Sequence, residues 1–448
     1  MFSDLSEFDA WLADRRAATA YDVTVAGLDG LDGWRTEPET GDLVHRTGGF
    51  FTVTGIQVET DHREVASWTQ PIIVQREVGI LGLAVRRVGG VLHCLLQAKM
   101  EPGNVNGLQL SPTVQATRSN YRRVHRGHAV PYLEYFLAPR RGRVVFDALQ
   151  SEQGSWFLGK RNRNMVVEVD EAPPLRDNFC WLSLDQLREL LRRDNVVNMD
   201  SRSVLAGLAP PGPAGAAEDA AALHTRAQLL SWFTEAKTRY RLERRVIPLA
   251  RVRDWTRSPE EIRHDSGEFF RIIGVDVQAG FREVARWSQP MLAPASRGVS
   301  AFVARWIRGA LHLLVHAQTE AGTGDLVEMS PTVNCAPANY RLLGGDRRPR
   351  FLDYVLSVPR ERRMVDVIHS EEGGRFYHAE NRYLVVLADD DFPVDVPEDF
   401  VWMTIDQLTA FVQYGNHVNV SARSILSCLA AGAGRHEERD AGLVGERR

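Results

Sequence analysis

Lys99 and Glu101 lie two residues apart at the end of an apolar, β-rich run, a spacing that puts both side chains on one face of a strand. A carboxylate beside an ammonium is equipment for proton transfer. The glutamate can take a proton, and the lysine can hold the negative charge that results or, with a lowered pKa, act as the base itself. Glu101 also opens the loop Pro102-Gly103-Asn104, where a carboxylate can face a pocket. A second candidate, Glu152, stands in the polar turn Ser151-Glu152-Gln153-Gly154 between two further β-rich runs. Tyr121, next to Asn120, adds a phenol that can serve as an acid. The plainer readings are a solvated ion pair for Lys99 and Glu101, a turn carboxylate for Glu152, and a core tyrosine satisfied by its asparagine neighbour.

Metal chemistry has little to stand on. Among 13 histidines only His125 and His128 are close neighbours, and a zinc ion would need further ligands that the sequence does not point to. His93 sits on an apolar run beside Cys94 and reads as a core residue. The four cysteines, Cys94, Cys180, Cys335 and Cys428, form no CxxC pair, which argues against a zinc knuckle or a disulfide framework. No metal site is expected.

The elements that must position these groups are legible in outline. A helix is expected over Ser6–Arg16 and another over Arg226–Glu243, the latter opened by a Thr225…Gln228 capping pattern. Strands are expected at Phe50–Thr60, Ile80–Val88 and Val91–Lys99, the last two joined by a Gly89-Gly90 hairpin turn. The same three recur at Phe269–Val277, Ser300–Ile307 and Leu311–Gln318, with Arg308-Gly309 at the turn. Later strands are read at Val144–Leu149, Asn164–Asp170, Met364–His369 and Tyr383–Asp389. Two capped helices, opened by Ser183…Gln186 and Thr404…Gln407, are expected to close the two series.

That recurrence is a tandem duplication. The pentapeptide Ser67-Trp68-Thr69-Gln70-Pro71 returns as Arg286-Trp287-Ser288-Gln289-Pro290, an offset of 219. Ser111-Pro112-Thr113-Val114, Asn120-Tyr121, Ser151-Glu152 and Asn162-Arg163 return at the same offset. Trp181, Asn195, Asn198 and Arg202 return at an offset of 221 as Trp402, Asn416, Asn419 and Arg423. Two repeats of this length are too long and too few for a solenoid, so each is read as a complete α+β domain of mixed sheet and helix. The division is residues 1–208, a Pro/Gly/Ala-rich linker over 209–224, residues 225–430, and a flexible tail over 431–448.

The chain of 448 residues is 44% hydrophobic and 25% charged, with a net charge of −4. That balance supplies soluble cores but no cationic surplus for a phosphate backbone, so nucleic-acid binding is not expected. No apolar stretch approaches the ~18 residues of a membrane span. The first residues lack the basic and apolar regions of a secretory signal. A cytoplasmic protein with reduced thiols is expected.

The segments Gln97–His125, Ser67–Pro71 and Leu149–Val169, with Ser330–Tyr340, Ser370–Tyr383 and His417–Leu426 in the second copy, resemble the NDP-hexose 2,3-dehydratases of deoxysugar biosynthesis. The resemblance implies a dTDP-linked 4-keto-6-deoxy-D-glucose substrate and loss of water across C2 and C3. It also implies Nudix-like repeats, a homodimer, and a partner ketoreductase for the unstable diketo product. A Nudix pyrophosphatase holds Mg²⁺ through a glutamate-rich helix, and neither copy contains one. The elimination asks for a base at C3, donors for the C4 oxyanion and an acid at the C2 hydroxyl, with no redox cofactor. No GxGxxG fingerprint follows a strand.

In that light Glu101, Glu152, Lys99 and Tyr121 are the catalytic candidates. Arg118, Arg122, Arg161 and Arg163 suit a diphosphate, Trp68 and Trp156 a base to stack on, and Gln70, Asn120, Asn162 and Asn164 sugar or base hydroxyls. Lys99, Arg118, Trp156 and Lys160 face Gln318, Pro337, Arg375 and Ala379 in the other copy. The productive site is therefore expected mainly in the first copy. A non-catalytic nucleotide-sugar binder, or a 3-epimerase that keeps the C2 oxygen, are the alternatives.

Overall fold

The computed structural model describes residues 1–117, 129–139, 142–208, 221–280, 285–341 and 347–430. The first repeat opens with α1 (Leu5–Ala18), whose free N–H groups are met by the Asp4 carboxylate. Five strands follow: β1 (Tyr21–Ala26), β2 (Trp34–Thr36), β3 (Leu43–His45), β4 (Thr52–Thr60) and β5 (Ser67–Val74). Seven more build a second sheet: β6 (Gly79–Val88), β7 (Val91–Met100), β8 (Leu108–Pro112), β9 (Val114–Ala116), β10 (Arg143–Ser151), β11 (Arg161–Glu168) and β12 (Phe179–Ser183). Two helices, α2 (Leu184–Leu190) and α3 (Met199–Leu205), complete the repeat.

The second repeat keeps the order. After α4 (Arg226–Arg239) come β13 (Leu242–Ile247), β14 (Trp255–Arg257), β15 (Glu261–His264), β16 (Phe270–Ala279) and β17 (Arg286–Pro294). Then come β18 (Gly298–Ile307), β19 (Ala310–Gln318), β20 (Glu328–Ser330) and β21 (Val333–Cys335). A short helix, α5 (Leu352–Ser357), precedes β22 (Arg363–Ser370), β23 (Glu380–Leu387) and β24 (Phe400–Thr404), and α6 (Ile405–Val412) and α7 (Val420–Ala430) end it.

Local chemistry accounts for most of these boundaries. Reciprocal capping boxes form at Thr225/Gln228, Ser183/Gln186 and Thr404/Gln407, as the sequence pattern predicts. The β6–β7 turn puts Gly89 at φ 57° and Gly90 at φ 84°, the left-handed geometry that lets a two-residue turn follow the strand twist. Each large sheet contains one parallel pair, β11 on β6 and β23 on β18, among antiparallel neighbours.

The small sheets hold the main departure from expectation. β13 pairs with β4 and β1 pairs with β16, so each repeat lends its first strand to the other repeat's sheet. Neither copy closes on itself. A single apolar core draws on both halves, with Leu83, Val166 and Leu187 in the same cluster as Phe302, Val385 and Leu408. Exchange covers the β4 and β16 edges, which would otherwise offer unpaired backbone to any passing strand.

The capped helices α2 and α6 are not the last elements. α3 and α7 follow each of them, capped by Asn198 and Asn419 through the N–H groups of Ser201 and Ala422. All seven α3 residues are buried, so Met-Asp-Ser-Arg-Ser-Val-Leu shows none of the apolar–polar contrast by which a surface helix is read. Arg202 and Arg423, both 0% exposed, sit on these two helices and reach across the seam. Arg202 donates to the Ser370 carbonyl at 2.8 Å and Arg423 to the Ser151 carbonyl at 2.6 Å.

Residues 209–220 of the expected linker and the 431–448 tail lie outside the described residues, while the end of the linker docks: the Leu223 N–H donates to His312 at 3.0 Å. Among the described residues no helix is long and apolar enough to cross a membrane. Residues 1–208 expressed alone leave β4 without β13 and half of the shared core open. They are expected to be insoluble or to lack cooperative unfolding, and co-expression with residues 221–448 to restore a soluble complex; circular dichroism melts of each preparation check this.

Candidate active site

One cavity of about 500 Å³ gathers most of the chemistry, and both repeats build it. Its inner wall is the first repeat's large sheet, with Gly79 and Leu81 on β6, Lys99 on β7, Gln115 on β9 and Asn162 on β11. Parallel pairing sets Asn162 beside Gly79, and the Gly79 N–H donates to the Asn162 side chain at 3.0 Å. A Cβ at Gly79 would meet that same oxygen at 2.9 Å, so the close approach needs glycine. Glu101 leaves the end of β7, Glu152 the end of β10, and Lys160 precedes β11. Asp200 enters from the first turn of α3.

The opposite wall is the other repeat. Trp287 and Gln289 of β17 line it, with Glu372, Gly374 and Arg375 from the turn after β22. Trp287 donates to Gln289 at 3.1 Å, and Gln289 donates to the Gly374 carbonyl at 2.6 Å, fixing that turn against the strand. Arg375 lies 4.4 Å over the Phe51 ring and donates to Gln75 at 3.2 Å. Nearer the mouth stand Asp32, Trp34, His45, the exposed Phe50, and the exposed cations Arg46 and Arg286.

Gln115 ties the inner groups together. Its Nε2 donates to Glu101 at 2.7 Å, its carbonyl accepts from Lys99 at 3.1 Å, and its Oε1 accepts from Asn198 at 3.2 Å. Glu152 accepts from Asn162 at 2.7 Å through Oε1. Its Oε2, with Asp200 Oδ1 and Glu372 Oε2, is buried without a hydrogen-bond partner among the described residues. Lys160 donates to the Glu77 carbonyl.

Burial beside like charges disfavours the charged forms of Glu152, Asp200 and Glu372. Burial pushes Glu152 above the usual carboxylate range, against the pull of Arg423 and Lys160. Burial, reinforced by Glu152, Glu101 and Glu372, holds Asp200 well above it, with Lys99 opposing. Burial and Glu101 push Glu372 up to about 7, against Arg375. Burial draws the Lys160 ammonium below its ordinary value while Glu152 pulls the other way. Among the described residues no three His, Cys, Asp or Glu side chains converge as a metal ion would need.

The expected residues divide clearly. Lys99, Glu101, Glu152, Lys160 and Asn162 meet in this cavity. Tyr121, Arg118, Asn120 and Arg122 lie outside the described residues. The others are placed elsewhere. Arg163 binds Asp147 through two bonds of 2.7 and 2.6 Å across β10 and β11, a pair that Arg382 and Asp366 repeat in the second half. Arg161 is exposed at the start of β11 and is not part of the cavity wall. Asn164 is buried and donates to Ser203 at 2.7 Å. Trp156 packs edge-on against Phe376, ring centroids 4.6 Å apart, in the small-sheet core. Trp68 donates to Gln70, and Gln70 to the Ser155 carbonyl, on the side facing the second repeat. Strand exchange is the reason: the matching Trp287 and Gln289 reach the cavity instead.

Asp200, Glu372 and Arg375 are among the contributors that went unread in the sequence. Asp200 faces Ser421 in the aligned copy, the same kind of mismatch that singled out Lys160. Glu372 faces Gln153 and Arg375 faces Trp156. Those mismatches were visible, but they place charge in the second copy and count only once the copies interlock.

The corresponding region of the second half is a closed polar cluster. Glu371, the counterpart of Glu152, accepts from Asn381, Gln153 and the Tyr383 hydroxyl. Tyr383 is fully buried where the first half has Asn164, and Ala379 and Ser421 stand for Lys160 and Asp200.

Two interlocked α+β halves that enclose one buried set of carboxylates and amines define an enzyme of proton-transfer chemistry. A family model described as NDP-hexose 2,3-dehydratase matches residues 5–208 and again 226–429, and the chain belongs to that family. A relative from Streptomyces violaceoruber, a dTDP-4-dehydro-6-deoxy-alpha-D-glucopyranose 2,3-dehydratase, is 55% identical over 433 residues, 95% of this chain and 97% of that protein. Relatives of the same description from Saccharopolyspora spinosa and Amycolatopsis orientalis are 49% and 47% identical, over 95% of this chain and 91% and 90% of theirs.

A carboxyl held neutral in the fold but ionised in the unfolded chain costs stability as pH rises. For Glu372 that cost is absent below its ordinary value of 4.5, grows through the interval, and levels off above about 7. Glu372→Gln is therefore expected to match the wild-type Tm near pH 4.5 and to exceed it by a few degrees at pH 8. Melts across that range check the sign.

Proposed function

We propose that the chain removes water across C2 and C3 of dTDP-4-dehydro-6-deoxy-α-D-glucopyranose, giving the 3,4-diketo-2,6-dideoxy sugar. The observation that carries this reading is the polarity of the cavity. Proton-transfer groups lie at its inner end, and exposed arginines and aromatic rings lie at its mouth. A nucleotide sugar has the same polarity, with a neutral reacting hexose at one end and a diphosphate and base at the other. Arg46 and Arg286 suit the diphosphate, Phe50 and Trp34 suit the thymine, and Arg375 stands between them and the hexose.

The reaction needs only proton movement. Glu101 takes the C3 hydrogen, acidified by the C4 carbonyl, with Gln115 holding the carboxylate in place and Lys99 stabilising the C4 oxyanion. Glu152 and Asn162, linked to each other, receive the hexose hydroxyls. Loss of the C2 hydroxyl gives an enol that becomes the diketone on protonation at C2. No redox cofactor and no metal enters this scheme. The product is a reactive α-diketone, so a 3-ketoreductase acting directly after this step belongs to the proposal. A homodimer and a Nudix-like ancestry for each half belong to it too. Sedimentation velocity tests the dimer.

Incubation with the dTDP-4-keto-6-deoxy sugar, a 3-ketoreductase and NADPH is expected to yield a sugar lighter by one water before reduction. Intact substrate, or a product that keeps its C2 oxygen, would sink the reading. Glu101→Gln is expected to abolish deuterium entry at C3 in D2O; unchanged entry would remove Glu101 as the base. Arg375→Ala is expected to raise KM by ten-fold or more with a smaller effect on kcat. A wild-type KM would remove Arg375 from substrate binding.

A further inference from the structure

The elimination leaves one demand unmet: hydroxide is a poor leaving group, and the C2 oxygen needs a proton as its bond to carbon breaks. Lys99 and Lys160 can donate, but each holds a backbone carbonyl, those of Gln115 and Glu77. Asp200 is different. It lines the cavity from the first turn of α3, is 2% exposed, and carries a buried Oδ1 with no hydrogen-bond partner among the described residues. The fold does not require a carboxyl there. The second half places Ser421 at the equivalent position of α7, two residues before Arg423, which matches Arg202. A buried polar atom left unsatisfied where the sister repeat has a hydroxyl is the mark of a group kept for a ligand.

We propose that Asp200 is the general acid that protonates the departing C2 hydroxyl, a role that rests on the dehydratase reading above. Glu152, Glu101 and Glu372 face Asp200 with like charge, Lys99 faces it with opposite charge, and burial outweighs Lys99, so the carboxyl is held neutral and able to donate. The balance closes over one turnover. Glu101 removes the C3 hydrogen and the electron pair moves into the C3–C4 enolate. The enolate collapses to restore the C4 carbonyl as the C2–O bond breaks, and the Asp200 proton leaves with that oxygen as water. The Asp200 carboxylate then takes the proton of the adjacent C3 enol hydroxyl while Glu101 returns its proton to C2. Both side chains end as they began, and the sugar has lost one water. A single carboxyl group can serve both oxygens because C2 and C3 hydroxyls are vicinal.

Asp200→Asn separates the two proton transfers. The variant is expected to lose water elimination by at least 100-fold while the recovered substrate still gains deuterium at C3 in D2O. Loss of C3 exchange together with elimination, in a variant that melts like the wild type, would overturn the assignment, as would elimination within ten-fold of wild type. Asp200→Ser, which copies the second half, is the control should asparagine disturb folding, and the same outcomes apply. A 2-deoxy-2-fluoro analogue of the substrate gives a second reading, since fluoride leaves with less help from an acid. The variant's deficit relative to wild type is expected to shrink at least ten-fold with this analogue, and an undiminished deficit would also overturn it. Wild-type enzyme inert toward the parent substrate would instead sink the dehydratase reading itself.

Discussion

Arg202 and Arg423 fasten the two halves to each other through buried charge. Each is buried completely, and each sends its guanidinium through the seam to a backbone carbonyl of the opposite repeat. Arg423 also meets the Ser203 hydroxyl and its own Val418 carbonyl, so all three nitrogens of its planar fork donate to fixed acceptors. Burial lowers even this guanidinium to about 10. A charge so costly to desolvate is tolerable only where every surrounding group is already in place. The exchange of β1 and β13 follows the same approximate two-fold, pairing each small sheet with a strand from the other repeat.

The active cavity depends on that seam. Ser151, whose carbonyl Arg423 binds, is the residue before Glu152, and the Arg423 charge offsets part of the burial that pushes the Glu152 carboxyl up. The turn carrying Glu372 and Arg375 reaches the first half because Gln289 on β17 clamps it, and β17 sits on β16, the strand that receives β1. Fold and chemistry therefore share one set of contacts. Duplication supplied two equivalent regions, and interlocking let one of them form a cavity with walls from both copies while the other filled with side chains, Gln153 of the first copy among them.

Within the cavity, burial raises the Glu152, Asp200 and Glu372 carboxyls above the usual carboxylate range. Like charges at close quarters in a buried site disfavour full ionisation, so neighbouring carboxyl groups can differ in protonation at one pH. Glu101 is held by Gln115, whereas Asp200 Oδ1 has no hydrogen-bond partner among the described residues, so the two carboxyl groups differ in their surroundings. The second half shows the alternative outcome. Its Glu371 has three donors and no open side.

Periodicity, capping boxes, the glycine turns and the family resemblance were legible in the sequence, because each depends on residues close together in the chain. Lys99 and Glu101 were found through strand alternation, and Glu152, Lys160 and Asn162 through their place in polar motifs. Trp68, Gln70 and Trp156, expected at a ligand, stand outside the cavity, and Arg163 and Asn164 pair with Asp147 and Ser203. Helix α3 escaped notice because a helix buried on every side carries no periodic signal. The sequence by itself determined that there are two copies and which one carries Lys99 and Lys160. Only the tertiary structure decided that the copies exchange strands, and hence that Trp287, Glu372 and Arg375 stand in the first copy's cavity. An offset of 219 residues says that two segments are alike; it carries no information about which of them faces which pocket, because strand exchange leaves local pairing energetics almost unchanged.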